Sequence, residues 1–151
     1  MRISAKADYA VRAAVEMAAA GDEPVKGEVM AEAQDIPLQF LEHILLELKH
    51  ARLVRARRGA RGGYWLAKPA EEITLASVIR AVEGPLANIQ DQAPEQTKYP
   101  GNAEQLSEVW IAVRASLRRV LENVTIADLR DGKIPADVLE LTRDEGARIT
   151  R

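Results

Sequence analysis

The chain has no cysteine in its 151 residues. That removes disulfides, thiolate nucleophiles and every thiolate-ligated metal or iron-sulfur centre. No apolar run approaches the roughly eighteen residues of a membrane span, and the N-terminus lacks the basic, long apolar and small-residue order of a secretory signal. A soluble, cytoplasmic protein with no membrane contact is expected. No glycine-rich nucleotide fingerprint opens a helix after a strand, no nucleophile elbow is present, and the cluster Gly59, Gly62, Gly63 lacks the lysine-serine or lysine-threonine ending of a phosphate loop. An enzyme is therefore not expected. The two histidines, His43 and His50, fall two turns apart on one helix, too far for a usual shared metal site, and neither metal nor cofactor is expected.

Acidic side chains are missing where it matters most. From Lys49 to Arg61 the sequence reads KHARLVRARRGAR, with six Lys or Arg and no Asp or Glu in thirteen residues. The net charge of the chain is −2, so the basic surplus is local. Residues 1 to 68 carry 11 Lys+Arg against 9 Asp+Glu, and residues 69 to 151 carry 10 against 14. A one-sign cluster of this kind is a candidate anion site, and nucleic acid is the anion it best suits.

Periodicity places the cluster. Ser4 can cap a first helix, apolar on nearly all sides from Ala7 to Ala20 and broken by Gly21-Asp22-Glu23-Pro24. A short helix follows from about Lys26 to Gln34 with Val29, Met30 and Ala33 as its apolar face, and Asp35-Ile36 form a turn. Pro37 suits the first turn of a third helix running to about His50, whose buried stripe is Leu38, Leu41, Leu45 and Leu48. Gln39, Phe40, Glu42, His43 and Glu47 then lie on or near its other faces, free to meet a groove.

Leu53 to Arg57 alternates apolar and basic, and Tyr64-Trp65-Leu66 answers it after the glycines, so the two predict an antiparallel hairpin with Arg55 and Arg57 on one face. Trp65 alternates away from Tyr64 and Leu66, toward solvent or a dimer partner. Thr74 caps a fourth helix carrying Leu75, Val78, Ile79 and Val82, which Gly84-Pro85 stops. This is the layout of a winged helix-turn-helix over residues 1 to 84, with the third helix as recognition helix and the hairpin as wing.

Residues 85 to 102 are polar, with Pro94, Pro100 and Gly101 and hardly any core residues, which predicts a loop or hinge. A long helix restarts near Ala103. Its apolar positions Leu106, Trp110, Val113, Leu117, Val120 and Val124 are spaced as a heptad seam, which calls for a second helix. Thr125 to Asp128 has the spacing of a capping box for a short helix, so residues 103 to 131 form a dimerisation helix plus a short follower. Pro135 to Leu141 can add a turn or two, and the remaining tail is expected to be mobile.

With these pieces in place the chain resembles the Rrf2 family of bacterial winged-helix regulators, the IscR, NsrR and CymR type. The resemblance spans residues 1 to about 130. It rests on MRISAKADYAV at the start, IPLQFLE from Ile36, LVRARRGARGGY from Leu53, ITLASVIRAVEGP from Ile73 and TIADL from Thr125. It implies a symmetric dimer made by the long helix, with each recognition helix in a major groove and each wing in the adjacent minor groove. It puts Gln39, Phe40 and Glu42 at base edges and sugar-phosphate, and Arg58 and Arg61 at the wing. Lys49, Arg55 and Arg57 are candidates for phosphates, as are Lys6 and Tyr9, Tyr9 being equally suited to the core. Many relatives hold an iron-sulfur cluster through three cysteines after the fourth helix, and some supply an oxygen ligand from the position of Asp8. Here residues 85 to 102 have neither Cys nor His, so no cluster is expected. Arg52 stands where relatives usually have glycine. Gln90, Asp91, Gln92, Gln96, Lys98 and Tyr99 occupy the place where relatives sense their signal, open here to a small-molecule effector, a partner protein, or a plain connecting role.

The expected function is a homodimeric, sequence-specific DNA-binding transcription regulator, a repressor of a site with two-fold symmetry and A·T-rich flanks. The alternative is a winged-helix protein-interaction module or partner-regulated subunit with weak DNA affinity.

Overall fold

The computed structural model describes residues 2–150. Helix α1 (Ala5–Ala19) begins at Ser4, whose hydroxyl accepts from the Ala7 backbone N–H. Ala10, Ala13, Ala14 and Ala18 are buried along it together with Met17. Small side chains on several sides let α1 run through the centre of the domain with other helices close against it.

Helix α2 (Gly27–Gln34) buries Gly27, Met30 and Ala31. Val29 and Ala33, expected on its inner face, are exposed instead. An eight-residue helix shows too few turns for its apolar stripe to be phased securely, and of the three expected residues Met30 is the one that reaches the core. Asp35 then turns the chain through a left-handed conformation into α3 (Leu38–His50). Leu41, Ile44, Leu45 and Leu48 of α3 are at most 1% exposed. Burial of each contributes about 1.5–3 kcal/mol, which fixes the rotation of α3 and hence what it presents outward.

Strands β1 (Val54–Arg57) and β2 (Gly63–Leu66) pair antiparallel, with Arg55 opposite Trp65 and Arg57 opposite Gly63. A third segment joins them. Val25 exchanges two backbone hydrogen bonds with Tyr64, at 2.9 and 2.8 Å, tying β2 to the α1–α2 connection. Gly63 allows this approach, since a Cβ there would lie 2.7 Å from the Val25 carbonyl.

Between α3 and β1, Arg52 has φ 60°, a left-handed conformation. Its N–H reaches the Lys49 carbonyl at 3.0 Å and the Leu53 N–H reaches that of Leu48 at 3.0 Å, closing the helix end. Glycine adopts this conformation without a Cβ penalty, whereas arginine is strained by about 1 kcal/mol or more. Arg52→Gly should therefore raise the stability of the fold by about 1 kcal/mol in urea denaturation. Unchanged or lowered stability would show that the Arg52 side chain offsets its backbone strain within the monomer.

Helix α4 (Leu75–Glu83) is capped by Thr74, which accepts from the Ser77 N–H, and ends at Gly84. The segment after it is more ordered than a hinge. Leu86 and Pro94 are buried, and single 3-10 turns form at Pro94–Gln96 and Gly101–Ala103. Arg114 of the following helix holds Glu95 in an ion pair.

Helix α5 (Leu106–Leu121) has no buried residue. Leu106, Trp110, Val113, Leu117 and Val120 are each half-exposed. Val124 does not continue that line. It lies beyond the end of α5 and is 3% exposed, and its carbonyl accepts from the Leu75 N–H at 2.9 Å. A residue enclosed in its own chain leaves no surface for a second one. The Thr125–Asp128 capping box is formed and starts α6 (Ile126–Asp131), with Ile126 fully buried. The Ile126 N–H donates to the Ile73 carbonyl at 2.8 Å, and α6 packs on α1. The core of residues 1 to 84 is thus completed by residues 124 to 131, and the winged domain does not end at Gly84. After Gly132 comes α7 (Ala136–Leu141), where the sequence allows a turn or two, and then a 3-10 turn at Glu145–Arg148, where it predicts a mobile tail. The Asp144 carboxylate accepts from the Gly146 N–H at 2.7 Å and holds that turn.

Candidate nucleic-acid interface

The buried stripe of α3 turns Gln39, Glu42 and His43 to solvent. Leu46 continues this face one turn on and is 48% exposed. It lies outside the stripe of Leu38, Leu41, Leu45 and Leu48 that the periodicity assigns to the core. Phe40 is 44% exposed, its ring edge-on to Tyr9 with 5.6 Å between centroids. Tyr9 also lies under the Arg12 guanidinium at 4.8 Å, so it is part of the packing between α1 and α3.

Glu47 is not free to meet a groove. Its carboxylate takes the Lys6 ammonium at 2.8 Å, and the contact occupies Lys6 as well. The two sit one above the other because α1 crosses α3 there, a long-range juxtaposition with no local sequence signal.

The wing is held from three directions. The Gly62 N–H donates to the Gly59 carbonyl at 3.0 Å. The Arg57 guanidinium donates to the Arg61 carbonyl at 3.1 Å. Lys26 of the α1–α2 connection donates to the Gly59 carbonyl at 2.6 Å. Gly62 is irreplaceable in this turn, since a Cβ would sit 2.0 Å from the Arg57 carbonyl oxygen. Arg58 and Arg61 are exposed at the pinned tip. Between wing and helix lies a cleft of about 480 Å³, lined by Glu42, Leu46 and Lys49 on one side and by Arg57 and Arg58 on the other.

Charge is distributed unevenly over the molecule. Away from the wing, Lys6, Arg12, Arg80, Arg114, Arg118 and Arg130 each have a carboxylate within 4.0 Å. The Glu71 and Glu95 carboxyls are held below the usual carboxylate range, first by backbone hydrogen bonds and then by Arg130 and Arg114. Hydrogen bonds from Arg80 and Arg130 do the same for Glu122 and Asp131. In the 49–61 segment no such pair forms: among the described residues, no carboxylate pairs with Lys49, Arg52, Arg55, Arg57, Arg58 or Arg61. Unpaired cations gathered on one pinned hairpin create a positive field that intramolecular ion pairing does not quench.

A winged helix with this cationic face matches the Rrf2 family, described as an iron-dependent transcriptional regulator, over residues 3–132. The chain belongs to the Rrf2 family of transcriptional regulators. Rv1287 of Mycobacterium tuberculosis, provisionally named an HTH-type transcriptional regulator, is 48% identical over 149 residues, 98% of this chain and 92% of that protein. The HTH-type transcriptional regulator CymR of Bacillus subtilis is 31% identical over 85% of this chain and 89% of its own length. A solved structure of CymR, described as the global cysteine regulator of B. subtilis, superposes with a TM-score of 0.71 at 30% identity, covering 87% of this chain and 98% of that one. The T. potens IscR structure gives 0.69 at 29% identity, covering 100% and 93%. These Rrf2 proteins are transcriptional regulators, and by family and fold the chain is a regulator and not an enzyme.

The family description names iron, and the residues here do not fit a thiolate-held cluster. The chain has no cysteine, and residues 85 to 102 contain no histidine. Glu95, one of the carboxylates of that segment, is engaged by Arg114. Asp8 lies 3.0 Å from Arg12, an ion pair one helical turn apart. Among the described residues, no three His, Asp or Glu side chains converge to hold an ion. The same segment and α5 instead enclose an apolar hollow of about 300 Å³ lined by Ile89, Tyr99, Leu106, Trp110 and Val113. Among the described residues, no helix is long and apolar enough to cross a membrane.

Proposed function

We propose that this Rrf2 protein is a homodimeric, sequence-specific repressor that binds an imperfect palindrome in duplex DNA and is regulated without an iron-sulfur cluster. The observation that carries the reading is the gathering of charge: six cations and no acid lie between residues 49 and 61, and among the described residues none of the six has a carboxylate partner, whereas Arg80, Arg114 and Arg130 of the body do. In this reading α3 enters the major groove and offers Gln39, Phe40, Glu42 and His43. The wing lays Arg58 and Arg61 into the adjacent minor groove, whose negative potential is strongest where A·T tracts narrow it. Lys49, Arg55 and Arg57 meet phosphates and set register without reading sequence.

Dimerisation through α5 is supported by that helix's line Leu106, Trp110, Val113, Leu117 and Val120, which its own chain covers only in part. Two-fold symmetry of the protein then requires two-fold symmetry of the operator. The regulatory input, a small molecule or a partner protein, acts at residues 85 to 102, between the DNA-facing body and the dimer helix, where it can alter the spacing of the two α3 helices. The protein acts in the cytoplasm, where its DNA is.

Glu42 can accept a hydrogen bond from a cytosine amino group. Glu42→Ala is expected to relax base choice at one position of each half-site by about 1–3 kcal/mol while leaving the salt dependence of binding intact. Competition binding with single-base operator variants measures this. Unaltered discrimination at every position would remove Glu42 from the base-reading set, and salt-insensitive or absent DNA binding by the unsubstituted protein would favour a protein-docking module.

A further inference from the structure

A second cleft lies beyond the junction of α3 and the wing. It has a volume of about 550 Å³, and its lining includes Lys49, Arg52, Arg55, Trp65 and Lys68. Four of these are cations, and no carboxylate lines the cleft. By contrast, Glu28 and Glu42 line the cleft between α3 and the wing tip. Among the described residues, none of the four cations makes an ion pair. The register of the hairpin sets Arg55 directly opposite Trp65 on its outer face, with Trp65 partly exposed.

Arg52 adds an independent observation. It holds a left-handed backbone at φ 60° although a glycine would close the end of α3 without strain. Cations near a helix C-terminus are favoured by the helix dipole, which accounts for Lys49 and His50. That effect does not require a Cβ at a left-handed position, nor does it reach Lys68 beyond β2. A strained residue whose side chain lines a cleft with three other unpaired cations is the pattern of a functional position.

We infer that this outer cleft is a phosphate-binding site that holds the DNA backbone bordering the groove entered by α3, with Arg52 and Lys68 as contacts in addition to the wing tip. The ligand chemistry is a run of phosphate diesters: four cations and no acid suit a polyanion, and Trp65 supplies a flat apolar wall against deoxyribose. Duplex DNA is the source because Lys49 and Ala56 line both clefts, so the outer cleft is continuous with the α3 face. The inference rests on the DNA-binding reading above and extends it to residues that reading does not use.

The test compares the salt dependence of binding to one operator duplex for the full-length protein and for Arg52→Gly, Arg52→Lys and Lys68→Gln. Each lost phosphate contact should lower affinity roughly three- to tenfold near 0.1 M salt and reduce the slope of log affinity against log salt by about one. Arg52→Gly should show this loss while its denaturation midpoint rises, so weakened binding is separated from damage to the fold. Arg52→Lys should retain most of the slope. Wild-type affinity and slope in both Arg52→Gly and Lys68→Gln would overturn the outer cleft while leaving the α3 and wing reading standing. Absence of salt-dependent DNA binding in the unsubstituted protein would overturn both.

Discussion

Replacing Val113 and Leu117 together with aspartate should convert the protein from dimer to monomer in light scattering, with little change in its circular dichroism. No residue of α5 is fully buried within its own chain, so the helix can keep its fold with two carboxylates there, Val113 losing only its share of the open hollow beside Tyr99. At a helix-helix seam the same carboxylates face their symmetry mates in an apolar environment, where an unpaired charge costs several kcal/mol. Affinity for an operator with two half-sites should fall by about 10²-fold or more, because the second half-site contact is no longer intramolecular. Affinity for a single half-site should change little. A dimer that survives the double substitution would move the interface away from α5.

The second large effect is expected at the wing tip. Arg58→Ala combined with Arg61→Ala should leave stability within about 0.5 kcal/mol of the parent, since both side chains are exposed and neither has a carboxylate partner among the described residues. The turn itself should persist. It is built from the Gly62 N–H, the Lys26 ammonium and the Arg57 guanidinium, none of which is altered. DNA affinity near 0.1 M salt should nevertheless drop by roughly 10²-fold, and the salt slope should shrink by about two. The loss should be greatest for sites with A·T-rich flanks, where an arginine gains most from a narrowed minor groove. Titrations at several salt concentrations measure both quantities, and retention of wild-type affinity would remove the wing from the interface.

What was legible in the sequence, and what was not, follows from the range of the interactions involved. Ser4, Thr74 and the Thr125–Asp128 box mark helix starts through contacts three residues long, and all three caps form as expected. The α3 stripe and the β1–β2 alternation are equally local. The bond between Val25 and Tyr64, the return of α6 to α1 and the Lys6–Glu47 pair are not, because each joins segments far apart in the chain. Val124 shows the cost of extrapolating a period. It stands in heptad phase with Val120, yet α5 ends at Leu121, and the next residues turn inward to pair with the start of α4. The 85–102 segment was legible as a break between helices but not as a packed layer, since proline, glutamine and glycine give no periodic signal even where Leu86 and Pro94 are buried.

The same reasoning explains why the basic cluster was visible and its two clefts were not. Charge of one sign in thirteen residues is countable without coordinates. The placement of Lys68 near Arg52, by contrast, depends on β2 returning alongside β1. The absence of an acidic partner for each cation likewise becomes evident only once Glu71, Glu95 and Glu122 are seen to be engaged by Arg130, Arg114 and Arg80.

In the proposed function two copies of this chain read one symmetric DNA site. Selection of bound sequences from a random duplex pool by the purified full-length protein at near-physiological salt tests it most directly. An enriched motif with two-fold symmetry and A·T-rich flanks is the expected result; recovery of sequences with no common motif, bound weakly and released by modest salt, would show that the dimer reads no such site.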